Sequence, residues 1–252
     1  MRYETLSVGF DGGLCRVRFD RADAGNAITD RLVAELGAVL ARCEASEEPA
    51  VTVVVLEGSP EVFCAGGDFE ATAAGEVSDP GPLYDLWLRL ASGPFVSISL
   101  VQGRANAGGL GFVAASDIVL AGRGASFGLS ELLFGLFPAC VLPFLIRRVG
   151  RQKAHYMTLM TRPLGAEEAL ACGLADALDE DPERLLGAHL ARLRHLGRPA
   201  LARYKGYLGE ISGELERCRP AALAANRALF ADPAVQRNIR RYVTELKFPW
   251  ES

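Results

Sequence analysis

Two glycine-bearing turns in this 252-residue chain share one chemical logic. Cys64-Ala65-Gly66-Gly67 follows an apolar run and leads into Asp68. Ala107-Gly108-Gly109 follows the apolar run 95–101 and opens an apolar, helical pattern through Leu110, Gly111, Phe112 and Val113. A helix N-terminus offers unpaired N–H groups and the positive end of a dipole. Two such donors aimed at one point form an oxyanion hole for a carbonyl that approaches the backbone itself. Tight strand–helix packing would equally account for the glycines. A phosphate loop is a third use of such turns, but GxxxxGK(S/T) is absent and GLGFVA does not complete GxGxxG.

Other chemistry is sparse. The three lysines, Lys153, Lys205 and Lys247, leave the first 152 residues without a lysine catalyst. The six cysteines are scattered with no CxxC pair, which predicts reduced thiols and neither disulfide nor metal roles. His155 is expected to be structural, and His189 and His195 solvated. The net charge of −4 argues against nucleic acid as a partner. MRYETLSVGF carries early charges and no apolar signal core. No uncharged apolar stretch approaches the ~20 residues of a membrane span. A cytoplasmic location is expected.

These turns need elements to hold them. Residues 5–10 and 14–19 read as strands around the Asp11-Gly12-Gly13 turn. A helix follows Thr29, a plausible N-cap, with Leu32, Val33, Leu36, Val39, Leu40 and Cys43 on one face. AVTVVVLEG reads as a strand covered on both sides. Residues 71–82 are small and breaker-rich and are expected to form a mobile loop. A helix around 84–90 precedes a strand over 95–101, and a short strand covers 118–121. Pro138 and Pro143 are expected to break the next segment into short pieces. Helices are expected from Arg151, Ala166, Pro182 and Pro199 onward, with 199–246 wholly helical. Strand and helix units alternate, so the class is α/β.

The segments VFCAGGDFEA, VQGRANAGGLGFVAASDIVLAG, ASFGLSELLFGLFP and GAEEALACGLADAL resemble, in order, the signatures of the crotonase (enoyl-CoA hydratase/isomerase) family. VRFDRADAGNAIT resembles the family's first segment. The resemblance implies a ββα spiral core, placed at 1–198, and a C-terminal helical trimerisation layer, placed at 199–252. It also implies an acyl-thioester substrate, on CoA or on the phosphopantetheine of an acyl carrier protein, and no further cofactor. By the same resemblance the Ala65 and Gly108 N–H groups hold the thioester oxygen, with Gly66, Asp68 and Gly109 around them. Ala24, Asn26 and Ala27 match the segment along the pantetheine arm. A homotrimer or hexamer is expected.

Hydratases of this family use two glutamates. One position is Gly111 here; the other is Glu131. Read alone, Glu131 is a helix-start carboxylate ahead of an apolar run; the resemblance implies a catalytic one. A single glutamate suits a C2-to-C4 proton shift or a one-base dehydration. The segment SELLFGLFPACVLPFLIRRVGRQKAHYMTLMT and the ending KFPWES resemble the crotonase-like dehydratases of polyketide β-branching. That resemblance implies a 3-hydroxy-3-methylglutaryl group on a carrier protein, dehydrated to 3-methylglutaconyl. Gly111 is then expected to leave room for a branched acyl chain. Ala139, Cys140, Tyr84 and Trp87 are candidate acyl-pocket residues, the last three also readable as packing. The basic runs Arg147, Arg148, Arg151, Lys153 and Arg237, Arg240, Arg241, Lys247 are candidates for steering an acidic carrier, or simply solvated helix faces. Rival readings are an enoyl-CoA isomerase or short-chain hydratase, and a scaffold that binds acyl thioesters without turning them over.

Overall fold

The expected hairpin forms between β1 (Leu6–Asp11) and β2 (Leu14–Phe19). The structure, a computed structural model, describes residues 3–251; Met1, Arg2 and Ser252, at the ends of the expected 1–198 and 199–252 units, lie outside them. Thr29 caps α1 (Asp30–Ala45), its hydroxyl accepting from the Leu32 N–H at 3.2 Å. Leu32, Leu36, Val39, Leu40 and Cys43 form the buried face. β3 (Val53–Glu57) is buried at every position, as a doubly covered strand requires.

From there the chain repeats one pattern. β3 is followed by β4 (Val62–Cys64) and the helices α2 (Phe69–Ala73) and α3 (Pro80–Ser92). β5 (Val96–Val101) is followed by β6 (Arg104–Asn106) and α4 (Gly108–Ala115). β7 (Ile118–Gly122) is followed by β8 (Ser126–Gly128), a 3-10 turn at Glu131–Phe134 and α5 (Leu142–Met160). Each strand–strand–helix turn adds one strand to each of two sheets. The larger has the order β1-β2-β3-β5-β7-β10 and the smaller β4-β6-β8-β9. This is the expected ββα spiral. The chain is completed by β9 (Leu164–Gly165), α6 (Ala166–Ala171), β10 (Ala177–Asp179) and α7 (Pro182–Leu193), then α8 (Arg198–Ser212), α9 (Glu214–Ala231) and α10 (Pro233–Glu245).

Three local expectations are corrected. The stretch 71–82 is not one loop: Asp68 caps α2 by accepting from the Ala71 N–H at 3.0 Å, and α3 starts at Pro80, whose missing N–H costs nothing at a first helical position. Pro143 opens α5 rather than breaking the chain. The break falls instead at Gly150, with φ 77°, so the helix expected from Arg151 is the second half of α5. Arg147 and Arg148 are not a free basic rim. Arg147 donates to the Ala114 and Ala115 carbonyls, and Arg148 to those of Ser116, Asp117 and Leu174. They satisfy the carbonyls that α4 leaves unpaired at its C-terminus.

The C-terminal helices share the interior of the spiral. Leu215, Ala222 and Leu223 of α9 belong to the main core, and Leu201 of α8 to a second cluster with Val55, Ile98 and Leu186. Lys205 on α8 is buried and donates to the Leu90 and Phe95 carbonyls at 3.1 and 2.9 Å and to Asp117 Oδ2 at 2.6 Å. One ammonium therefore ties α8 to α3, to the residue before β5 and to the turn after α4. Lys205→Met takes the donor from the Phe95 carbonyl and the counter-charge from Asp117, to which Ser97 still donates, and is expected to cost about 3 kcal/mol of stability. Urea unfolding checks this; an unchanged midpoint would show that the clamp contributes nothing.

Candidate active site

The smaller sheet sets the geometry. β4, β6 and β8 are adjacent and parallel, so their C-terminal ends lie along one edge. The Cys64–Gly67 turn leaves β4, the Ala107–Gly109 turn leaves β6, and Glu131 follows β8. Ligands in α/β sheets bind at such carboxyl ends. A cavity of about 1080 Å³ opens there, lined among others by Ala65, Gly67, Asp68, Trp87, Gly108 and Glu131.

The glycines bring backbone onto backbone. A Cβ on Gly109 would stand 2.2 Å from the Cys64 carbonyl oxygen, so α4 seats directly on the end of β4. Gly66 has φ 105°, and a Cβ there would meet the Ala107 methyl at 2.8 Å. Ala107 itself is held at φ 48° and ψ −123°, a region costly to a side chain, which turns the chain sharply into α4. Gly108 opens that helix, and its N–H precedes the first helical bond.

The partner donor is not the one expected. The Ala65 N–H donates to the Gly25 carbonyl at 2.9 Å and is not available to a substrate oxygen. The N–H two residues on, at Gly67, has no acceptor among the described residues and lines the cavity. The Gly67 nitrogen lies 3.9 Å from where a Cβ of Gly108 would stand. Gly67 and Gly108 thus lie close together in the cavity wall. Sequence reasoning saw both glycines of the first turn, but which N–H is free depends on Gly25, packed on Ala65 from a distant segment.

Glu131 stands at the start of the 3-10 turn, with relative exposure of 9 %. Its Oε2 is buried and has no partner in the protein. Burial pushes its pKa up to about 7, against an ordinary 4.5. Asn106 and Ser130, which sequence reasoning missed, brace the turn: Asn106 Nδ2 donates to Ser130 Oγ at 3.0 Å across the β6–β8 pair. A buried carboxyl near neutrality beside two free N–H donors can take a proton from carbon while the donors hold the negative oxygen.

Other expected site residues divide between cavity and packing. Ala139 and Cys140 line the cavity. Tyr84 does not: it is fully buried and donates to the Leu215 carbonyl at 2.7 Å. Ala24, Asn26 and Ala27 lie outside the cavity lining. Asn26 is buried, accepts from the Arg21 N–H and donates to the Val62 and Phe63 carbonyls, which fixes the turn beneath β4. Gly111 leaves no room for an acyl chain. A Cβ there would stand 2.3 Å from the Trp87 indole, which fills the space. The C-terminal helices also reach the cavity: Tyr242 of α10 and Phe134 line it, with ring centroids 5.1 Å apart, and Phe69 packs on Phe134 at 5.1 Å.

The enoyl-CoA hydratase/isomerase family model matches residues 9–252. The chain belongs to that family. Bacillaene synthase dehydratase PksH of Bacillus subtilis is 51% identical over 99% of this chain and 97% of its own. Its crystal structure superposes with a TM-score of 0.95, covering 98% of this chain and 100% of that one. Mevalonyl-coenzyme A hydratase SIDH of Beauveria bassiana is 34% identical over 64% of this chain and 61% of its own. With these relatives the protein is an enzyme, a hydro-lyase of the enoyl-CoA hydratase/isomerase family. Among the described residues no helix is long and apolar enough to cross a membrane.

Proposed function

We propose that the protein dehydrates a 3-hydroxy-3-methylglutaryl thioester, borne by an acyl carrier protein, to the 3-methylglutaconyl thioester in polyketide β-branching. The observation that carries the reading is a single buried carboxyl, Glu131, sharing a cavity with two unpaired backbone donors. The likeness to a dehydratase of bacillaene synthase supports the pathway class. The likeness to a mevalonyl-coenzyme A hydratase supports a tertiary C3 alcohol, since the mevalonyl group is a 3-hydroxy-3-methyl acid.

The Gly67 and Gly108 N–H groups hold the thioester oxygen. Ionised Glu131 takes a proton from C2, and the charge moves to that oxygen as an enolate. The C3–O bond then breaks, the C2=C3 bond forms, and Glu131 returns its proton to the departing oxygen as water. A tertiary C3 eases the bond breaking, so one carboxyl suffices. The substrate's distal carboxylate calls for a cation. Of the cavity arginines, Arg31 faces Glu4 and Arg89 is bound to Glu44, whereas Arg104 has no acidic partner among the described residues. Arg104 is the candidate. A homotrimer or hexamer fits the exposed Tyr156, Leu159 and Met160 on α5.

Rates on three substrates test the reading. The carrier-borne 3-hydroxy-3-methylglutaryl group is expected to turn over faster, by two orders of magnitude or more, than crotonyl-CoA is hydrated or a 3-enoyl-CoA isomerised. The reverse order would make the protein a short-chain hydratase or isomerase. No turnover of any of them would leave an acyl-thioester binding protein.

A further inference from the structure

Among the described residues, two buried side-chain polar atoms have no partner: Glu131 Oε2 and Trp87 Nε1. Both residues line the same cavity. Buried polar groups are almost always paired, so two orphans at one site point to a ligand that pairs them. The two differ in kind. A carboxyl oxygen accepts or exchanges a proton, whereas an indole N–H only donates. Trp87 therefore calls for a ligand oxygen.

Its placement says which one. The indole carbons Cε2, Cζ2 and Cη2 lie 2.3–2.6 Å from where a Cβ of Gly111 would stand. No side chain fits at position 111 while Trp87 keeps this pose, so the ring occupies the ground a second carboxylate would need. The ring is locked, edge-on to Phe112 at 5.9 Å and to Phe144 at 5.7 Å between centroids. A rigid neutral donor cannot exchange a proton in place of a carboxyl, but it can hold an oxygen as negative charge grows there.

We propose that the Trp87 indole N–H donates a hydrogen bond to the C3 oxygen of the substrate, steadying it as the C3–O bond breaks. The inference rests on the dehydratase reading. Trp87 transfers no proton; the one that completes water comes from Glu131. Gly111 is the partner of this role, since its missing side chain admits the ring.

The test uses the native enzyme and the carrier-borne substrate. Trp87 is replaced by phenylalanine and, because phenylalanine also loosens packing, by benzothienylalanine, which keeps the bicyclic shape without the N–H. Loss of one donor to a developing charge is expected to lower kcat roughly ten- to a hundredfold in both forms, with KM little changed. The chain has two tryptophans, Trp87 and Trp250, so nitrogen-15 indole labelling reports the donor directly. In Glu131→Gln protein, the resonance that survives Trp250→Phe is expected to move downfield with the 3-hydroxy-3-methylglutaryl carrier and not with a glutaryl carrier, which lacks the C3 oxygen. Wild-type turnover with undiminished kcat in the benzothienylalanine form, or an indole shift equal for both carriers, would overturn the role of Trp87 alone. Absence of wild-type water loss would remove the dehydratase reading and this inference with it.

Discussion

Glu131→Gln is expected to lower the dehydration rate by roughly a thousandfold or more, the upper part of the range for general acid–base catalysis, because this one group both takes and returns the proton. The fold should survive, since glutamine fills the same volume and Oε2 makes no bond within the protein. Stability should rise. The carboxyl sits near 7 in the folded chain because burial disfavours its charge, against an ordinary 4.5. The proton is held more tightly folded than unfolded, so wild-type stability falls as pH rises from 4.5 to about 7 and then levels. At 1.36 kcal/mol per unit the shift is worth at most roughly 3.5 kcal/mol. The variant's gain in melting temperature should therefore be full at pH 8 and absent below pH 4.5. The same titration predicts that wild-type kcat/KM climbs with pH as the base ionises around 7. A melting difference that ignores pH would place Glu131 in contact with water rather than in a dry site.

Gly109→Ala is expected to lower activity by about 10²–10³-fold, the cost of losing one oxyanion donor. Its Cβ would stand 2.2 Å from the Cys64 carbonyl oxygen and 2.9 Å from that carbonyl carbon. These are backbone atoms of β4, held in the sheet by pairing with β6, and they cannot swing aside. The N-terminus of α4 must back away, which carries the Gly108 N–H from the Gly67 N–H. Overpacking of this kind also costs about 1–3 kcal/mol of stability. Steady-state rates with a melting curve separate the two effects. Gly206→Ala, on an α8 glycine with nothing within 4 Å of its would-be Cβ, serves as the control and should leave the rate unchanged. Equal rates in both variants would mean that the seat of α4 on β4 does not set the donor pair.

Much of this architecture was legible because local chemistry and tertiary demand agree. Thr29 caps the helix it announces, and the β-branched run 53–57 is buried throughout. The repeated order of strand, glycine turn and helix marked two turns that line the cavity, and Glu131, the carboxylate that the family resemblance singled out, lines it with them. What stayed hidden depends on contacts distant in sequence. Ala65 and Gly67 look equally able to donate until the Gly25 carbonyl claims the first. Gly111 looks like vacated space until Trp87 fills it. Arg147 and Arg148 look like a surface charge run, yet they close the C-terminus of α4, which only the packing of α5 on α4 reveals. Tyr242 reaches the cavity from the far end of the chain through an aromatic cluster with Phe134 and Phe248, for which no spacing rule exists.

The most direct measurement is the intact mass of an acyl carrier protein loaded with the 3-hydroxy-3-methylglutaryl group after incubation with the wild type and with Glu131→Gln. Loss of one water with the wild type alone is the predicted result, and it would establish both the reaction and its acid/base. Loss of water with both proteins would contradict the role of Glu131. An unchanged mass with the wild type would contradict the proposed reaction and leave the isomerase, hydratase and binding-protein readings.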